Sequence, residues 1–134
     1  MYSQYVRDVM ERKNLLTAPP DTTVSHAAKR MAKKKVSAVL VLENEQLVGI
    51  FTERDAVSRV IALDRNATTT QLAEVMTRAP QTISPDKSFG LALLIMHENG
   101  FRHVPVLDNG RVVGMVSARN ALDPDMEEFV AESN

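Results

Sequence analysis

Val39-Leu40-Val41-Leu42-Glu43-Asn44-Glu45-Gln46-Leu47-Val48-Gly49-Ile50-Phe51-Thr52-Glu53-Arg54-Asp55-Ala56 returns without a gap as Val104-Pro105-Val106-Leu107-Asp108-Asn109-Gly110-Arg111-Val112-Val113-Gly114-Met115-Val116-Ser117-Ala118-Arg119-Asn120-Ala121. Gly49 and Gly114 fix the offset at 114 − 49 = 65 residues. The same offset holds backward through Met31/Met96, Ala27/Ala92, Asp21/Asp86, Pro20/Pro85 and Thr17/Thr82. Farther upstream, Asp8-Val9-Met10 matches Glu74-Val75-Met76 with one extra residue in the first copy. An internal duplication means two similar units, and a polar signature repeated at their ends means up to two related sites.

Around the quoted stretch the periodicity is that of alternating helices and strands. Val24, Ala27, Ala28 and Met31 fall at helical spacing and predict a helix over about 22–34, with Asp21 and Thr22 as candidate N-caps after Pro19-Pro20. Ser37–Leu42 and Gln46–Phe51 read as strands around a Glu43-Asn44-Glu45 turn, and Thr52 opens a second helix to about Ala62. In the second copy Phe89, Ala92, Leu93 and Met96 form the helical stripe, with Ser84 as a candidate cap and Asn99-Gly100 as the stop. His103–Leu107 and Arg111–Val116 are the strands, and Asp108-Asn109-Gly110 is a hairpin signal because Asn-Gly accepts positive φ. The segments at Thr17 and Thr82 supply short first strands. Each copy therefore reads as β-α-β-β-α. Residues 1–65 hold the first repeat with its N-terminal segment and the start of the linker, 66–124 the second repeat, and 125–134 an acidic tail. Leu91, Leu94 and Ile95 widen the apolar face of the second copy's first helix, which we expect to meet the other repeat or another subunit.

Composition narrows the class. At 134 residues the chain has the length of one ordinary domain, too short for each repeat to bury a large core of its own. A hydrophobic fraction of 44% and a charged fraction of 25% are those of a globular protein. A net charge of −1 gives no electrostatic footprint for nucleic acid or an anionic membrane. With no cysteine there is no disulfide, thiol nucleophile or thiolate metal site. The absence of a signal-like apolar core near Met1, or of an apolar run of about 20 residues, leads us to expect a cytoplasmic protein.

The residues that could carry chemistry cluster at the strand–helix turn Gly49-Ile50-Phe51-Thr52-Glu53-Arg54-Asp55. Gly49 allows close backbone approach. Thr52 stands at a helix N-terminus, where free N–H groups favour an anion, and Asp55 lies one turn on, where a carboxylate can accept both hydroxyls of a ribose diol. Hydroxyl and N–H groups for phosphate beside a carboxylate for sugar suit a nucleoside phosphate. A capping box accounts for the same Thr-x-x-acidic spacing equally well. The second copy carries Ser117 and Asn120 at these positions, a weaker acceptor pair, so the two sites should be unequal. Arg102 and His103 open a strand in the second copy, where the first has Ser37 and Ala38; a solvated strand edge and a packing histidine are the plain alternatives. Arg54 and Arg119 are matched on the terminal helices. Lys33-Lys34-Lys35 is a solvated helix end, and His26 and His97 lack ligand partners at metal spacing. No catalytic constellation is present: no nucleophile elbow, zinc helix or Walker loop.

The order β-α-β-β-α found twice, the Phe101-Arg102-His103-Val104-Pro105-Val106 strand and the Gly-x-x-Thr-x-x-Asp turn resemble a CBS domain pair, or Bateman module, over about Asp8 to Leu122. The chain is similar to the stand-alone members. The resemblance implies an α+β fold of two repeats about a pseudo-twofold axis. It also implies two related ligand sites that take AMP, ADP or ATP, and in some members S-adenosylmethionine or NAD. No cofactor is otherwise required. Each site combines the turn of one repeat with the strand start of the other. One site would then use Thr52 and Asp55 with Arg102 and His103, Arg119 on the phosphate, and Thr17, Ala18 and Ile50 beside the base. A weaker one would use Ser117 and Asn120 with Ser37 and Ala38, Arg54, and Thr82 and Ile83. The resemblance further implies a homodimer forming a four-repeat disk and an unidentified protein that responds to it.

These features favour a non-catalytic adenine-nucleotide sensor acting by conformational change. The alternative is a structural dimerisation module with a vestigial site. A nucleic-acid-binding protein is opposed by the charge, and a free-standing enzyme by the absence of a nucleophile or base.

Overall fold

The computed structural model describes residues 2–121; the acidic tail and the last residues of the second repeat lie outside them. The chain forms two compact units that interleave along the sequence. One contains Lys13–Pro80 with Gly110–Val112, and the other, among the described residues, contains 2–12, Gln81–Asn109 and 113–121. The units of packing are thus cut differently from the repeats of sequence.

In the first of these units β1 (Thr17–Ala18) lies parallel to β2 (Ala38–Glu43), which is antiparallel to β3 (Gln46–Thr52), which is in turn antiparallel to β4 (Thr77–Arg78). Thr17 pairs with Leu40 and Leu40 with Ile50, so the three stand in one row across the sheet. Asn44 and Glu45 both take positive φ, 52° and 65°, the geometry of a tight hairpin turn. Helix α2 (Val24–Lys34) packs Val24, Ala27 and Met31 against Val39, Val41 and Phe51. The expected fourth stripe residue, Ala28, is exposed: at 100° per residue it falls on the edge of the buried stripe. The N-cap is Thr23, one residue past the expected Asp21 and Thr22; its extended backbone lets its hydroxyl accept from the His26 N–H at 3.2 Å.

In the other unit α5 (Phe89–Asn99) lays Phe89, Ala92 and Met96 on the sheet of β5 (His103–Asp108) and β6 (Arg111–Ser117). Its N-cap is Ser88, which accepts from the Leu91 N–H, and not Ser84, which bonds Asp86 in the preceding turn. Gly100 ends α5 at φ 72°, while the matched Lys35 ends α2 at φ 60° without glycine's freedom. Ile83 bridges in parallel to Val106, the counterpart of β1 on β2.

Two short helices close the units. α1 (Val6–Val9) belongs to the unit containing the second repeat, where the Val6 and Arg7 N–H groups donate to the carbonyls of Lys87 and Pro85 and Glu11 bridges to Met115. α4 (Leu72–Val75) does the same in the unit containing the first repeat, with Leu72 and Ala73 donating to Thr22 and Pro20. Each lead-in segment therefore covers the repeat that does not follow it. The close approach read at Gly49 is made by this segment: a Cβ there would lie 2.9 Å from Met76 Cγ and 3.0 Å from the Thr77 carbonyl. At Gly114 it would lie 2.9 Å from both Met10 Cγ and the Glu11 carbonyl.

The expected spare apolar face on α5 is partly consumed. Ile95 packs against its own unit's core, whereas Leu91 and Leu94 stay exposed, the latter at 50%. No helix of the described residues is long and apolar enough to cross a membrane.

Candidate functional site

At the end of β3, Thr52 leaves the strand in extended conformation and caps α3 (Glu53–Asp55), which runs on as a π-helical stretch over Ala56–Ile61. The capping box is complete. Asp55 Oδ2 accepts from the Thr52 N–H at 2.9 Å and from its hydroxyl at 3.2 Å, and the Asp55 N–H donates to Thr52 Oγ1 at 3.3 Å. The Glu53 N–H donates to the Ser37 carbonyl at 3.0 Å, tying the first turn to the start of β2. Asp55 is only 6% exposed. Its second oxygen, Oδ1, faces the Nε of Arg59 at 3.5 Å. The carboxylate thus spends one oxygen on the fold and offers the other to an ion pair with a half-exposed guanidinium.

The matched turn in the other unit opens a 3-10 helix, Ala118–Ala121, and keeps the contacts to the side chain of residue 120 with a neutral group. Asn120 Oδ1 accepts from the Ser117 N–H at 2.7 Å and from its hydroxyl at 3.4 Å. The Ala118 N–H donates to the Arg102 carbonyl at 3.0 Å, the counterpart of Glu53 on Ser37. The Asn amide thus reproduces the acceptor geometry without the charge.

The remaining expected site residues fall as follows. In the first unit Ala18, Ala38 and Ile50 are buried, Thr17 is exposed with its carbonyl 3.3 Å from an Arg30 Nη, and Arg54 is exposed on the helix. In the second, Ile83 is buried, Thr82, Arg102 and Arg119 are exposed, and His103 is half-buried. Burial, with the Arg102 charge beside it as the lesser cause, holds the His103 imidazole below its ordinary value of 6.5. The structure brings Thr52, Asp55, Ser37, Ala38, Ile50, Thr17 and Ala18 into one unit and Arg102, His103, Ser117, Asn120, Arg119 and Ile83 into the other. Sequence reasoning missed Arg59; its i,i+4 spacing from Asp55 was the available signal. No group of three or more His, Cys, Asp or Glu that could hold a metal exists among the described residues.

The fold and the duplicated turn define a class. The CBS domain family profile matches residues 6–62 and 72–125, most of the chain. The CBS domain-containing protein CBSCBSPB1 of Arabidopsis thaliana is 38% identical over 108 residues, 80% of this chain and 20% of that protein. The mitochondrial CBS domain-containing protein CBSX3 of the same plant is 32% identical over 126 residues, covering 86% and 61% respectively. Among solved structures, the CBS-domain containing protein ATU1752 from Agrobacterium tumefaciens superposes with a TM-score of 0.83 at 28% identity, covering 91% of this chain and 99% of that one. The CBS domain pair of protein MJ0100, solved with 5′-methylthioadenosine and S-adenosyl-L-methionine, superposes at 0.82 with 24% identity, covering 93% and 98%. A hexameric CBS-CP12 protein from bloom-forming cyanobacteria superposes at 0.83 with 23% identity, covering 93% and 73%. The chain belongs to the CBS domain family and carries two copies of the domain. It spans about one fifth of the length of curated relatives such as CBSCBSPB1.

Proposed function

We propose that this CBS pair is a non-catalytic sensor of adenine nucleotides (AMP, ADP or ATP), acting on a partner protein by ligand-dependent conformational change. The observation that carries the reading is Asp55: a buried carboxylate at a strand–helix turn, one oxygen fixed by the Thr52 cap and the other facing a guanidinium at 3.5 Å. Such an oxygen can accept a ribose hydroxyl without dismantling the helix start. Thr52 and Asp55 would act with Arg102, His103 and Arg119, and with Thr17, Ala18 and Ile50 beside the base. The site of Ser117 and Asn120, with Ser37, Ala38, Arg54, Thr82 and Ile83, would be weaker because its acceptor is neutral. The adenosyl ligands bound to the CBS pair of MJ0100 support the ligand class and leave S-adenosylmethionine as a candidate beside the nucleotides and NAD. We place the working form in the cytoplasm as a homodimer, with repeats 1–65 and 66–124 as its functional halves.

The test is a thermal-shift panel of AMP, ADP, ATP, S-adenosylmethionine and NAD on the wild type and Asp55→Ala. A true ligand at a hundred times its Kd adds about 2.7 kcal/mol, a rise of several degrees for a domain of this size. A shift with one compound that disappears in Asp55→Ala establishes the sensor. No shift with any of the five favours the second reading, a structural dimerisation module, for which the exposed Leu91 and Leu94 on α5 speak.

A further inference from the structure

Arg59 joins the candidate ligand carboxylate to a segment remote in sequence. Its Nε faces Asp55 Oδ1 at 3.5 Å, and one Nη donates to the Met76 carbonyl at 3.0 Å and to the Val75 carbonyl at 3.4 Å. Those two carbonyls end α4, where no intrahelical donor remains for them. The segment that follows is the one that lands on Gly49 and enters the sheet as β4. The π-helical stretch sets this placement: the Ala62 N–H reaches back five residues to the Val57 carbonyl at 2.8 Å, and Arg59 leaves the widened turn. By the 65-residue offset the counterpart of Arg59 is Pro124, which has no guanidinium. Among the described residues the connection is made in the first repeat.

We infer that Arg59 is a latch between the ligand site and the α4–β4 segment, and that it opposes ligand binding. The inference rests on the nucleotide reading of Asp55. A guanidinium on Oδ1 draws off the acceptor strength that a ribose hydroxyl would use. A ligand that takes Oδ1 displaces the Nε contact, leaving the guanidinium held by the carbonyls alone and the end of α4 less firmly tied. By linkage the two effects are reciprocal. Arg59 is a positioning residue, acting through Asp55 and the α4 carbonyls.

The test is calorimetry with adenosine and AMP on the wild type, Arg59→Met, Arg59→Lys and Asp55→Asn, joined to hydrogen exchange of residues 72–79 with and without AMP. A long pair whose guanidinium is half-exposed to screening water predicts that Arg59→Met binds both ligands roughly two- to fivefold tighter than the wild type. AMP should speed exchange at Met76 and Ala79 in the wild type and leave it unchanged in Arg59→Met. If Arg59→Met does not fold, Arg59→Lys tests the other half of the latch: an ammonium can still pair with Asp55 but cannot span both anchors as the fork does, so AMP should no longer speed exchange at Met76 and Ala79. Weaker binding in the Arg59 variants would make Arg59 a ligand contact and overturn the latch. Binding that needs Asp55 but is equal in the wild type and the Arg59 variants, with exchange unaltered by AMP, would overturn the latch and leave the nucleotide reading standing. No heat with either ligand on any of the proteins would overturn both.

Discussion

Met76 packs its side chain onto the bare Cα of Gly49, and Met10 repeats that contact at Gly114. The glycine that marks each duplicated turn is thus a seat for a lead-in segment. A Cβ at either position would press on a backbone carbonyl, Thr77 in one case and Glu11 in the other, and a carbonyl cannot swing aside as a thioether can. Gly49→Ala and Gly114→Ala should each cost about 1–3 kcal/mol, the range for overpacking a filled site. Urea denaturation of each variant measures it, and a loss below about 0.5 kcal/mol, the level of ordinary surface substitutions, would show that the segments lift away freely.

Asp55→Asn and Asp55→Ala should separate folding from binding. Asn120 already accepts from the N-cap N–H in the other unit, so Asp55→Asn should keep the helix start, whereas Asp55→Ala should lose about 0.5–1.5 kcal/mol with the reciprocal hydrogen bond of the capping box. Both should weaken a bound adenine nucleotide, by roughly 1.5–3 kcal/mol for the alanine variant, the range of hydrogen bonds to a charged group. Denaturation curves beside calorimetric titrations of the two variants decide it.

Asn120→Asp supplies the carboxylate that the second turn lacks. The Ser117 N–H lies 2.7 Å from the present Oδ1, so the new group inherits the same acceptor position. Calorimetric stoichiometry with AMP should rise, or the weaker of two binding phases should tighten. An unchanged isotherm would mean that the difference between the sites lies elsewhere than position 120.

His103 makes stability depend on pH in a definite direction. Its folded value is depressed below 6.5, so the unfolded chain binds the proton first, and stability falls as pH drops below 6.5 toward the lower folded value. Wild type should lose stability as pH falls below about 6.5 in denaturant titrations, more than His103→Gln does. Arg102→Ala should raise the imidazole's value in an NMR titration, by removing the lesser of its two causes.

Lys35 is the counterpart of Gly100 and holds φ 60° with a side chain. Lys35→Gly removes the steric cost of that conformation and adds flexibility to the unfolded chain. Because a left-handed L-residue costs roughly 1–2 kcal/mol, a net gain of about 0.5–1 kcal/mol is expected from a melting curve. A loss would mean that Lys35 makes a contact worth more than the strain.

The sequence by itself determined the duplication, and with it both hairpins, both capped strand–helix turns and the inequality between Asp55 and Asn120. These are local features: Asn109-Gly110 takes its positive φ and Thr52 closes its box on Asp55 through neighbours at most a few residues away. Cap positions slipped by one residue at Thr23 and by four at Ser88, because each helix is preceded by more than one hydroxyl that can serve and only the path of the preceding chain selects among them. Tertiary structure decided which repeat each lead-in segment covers. Asp8-Val9-Met10 and Glu74-Val75-Met76 are nearly the same segment, so periodicity could not say that α1 packs with residues after 80 and α4 with residues before it. It also decided the role of Arg59, whose partners at Val75 and Met76 lie 16 and 17 residues away and enter no local pattern. A hydrogen bond to a backbone carbonyl leaves no mark on the identity of the residue that supplies it, so this connection can be read only from the folded chain.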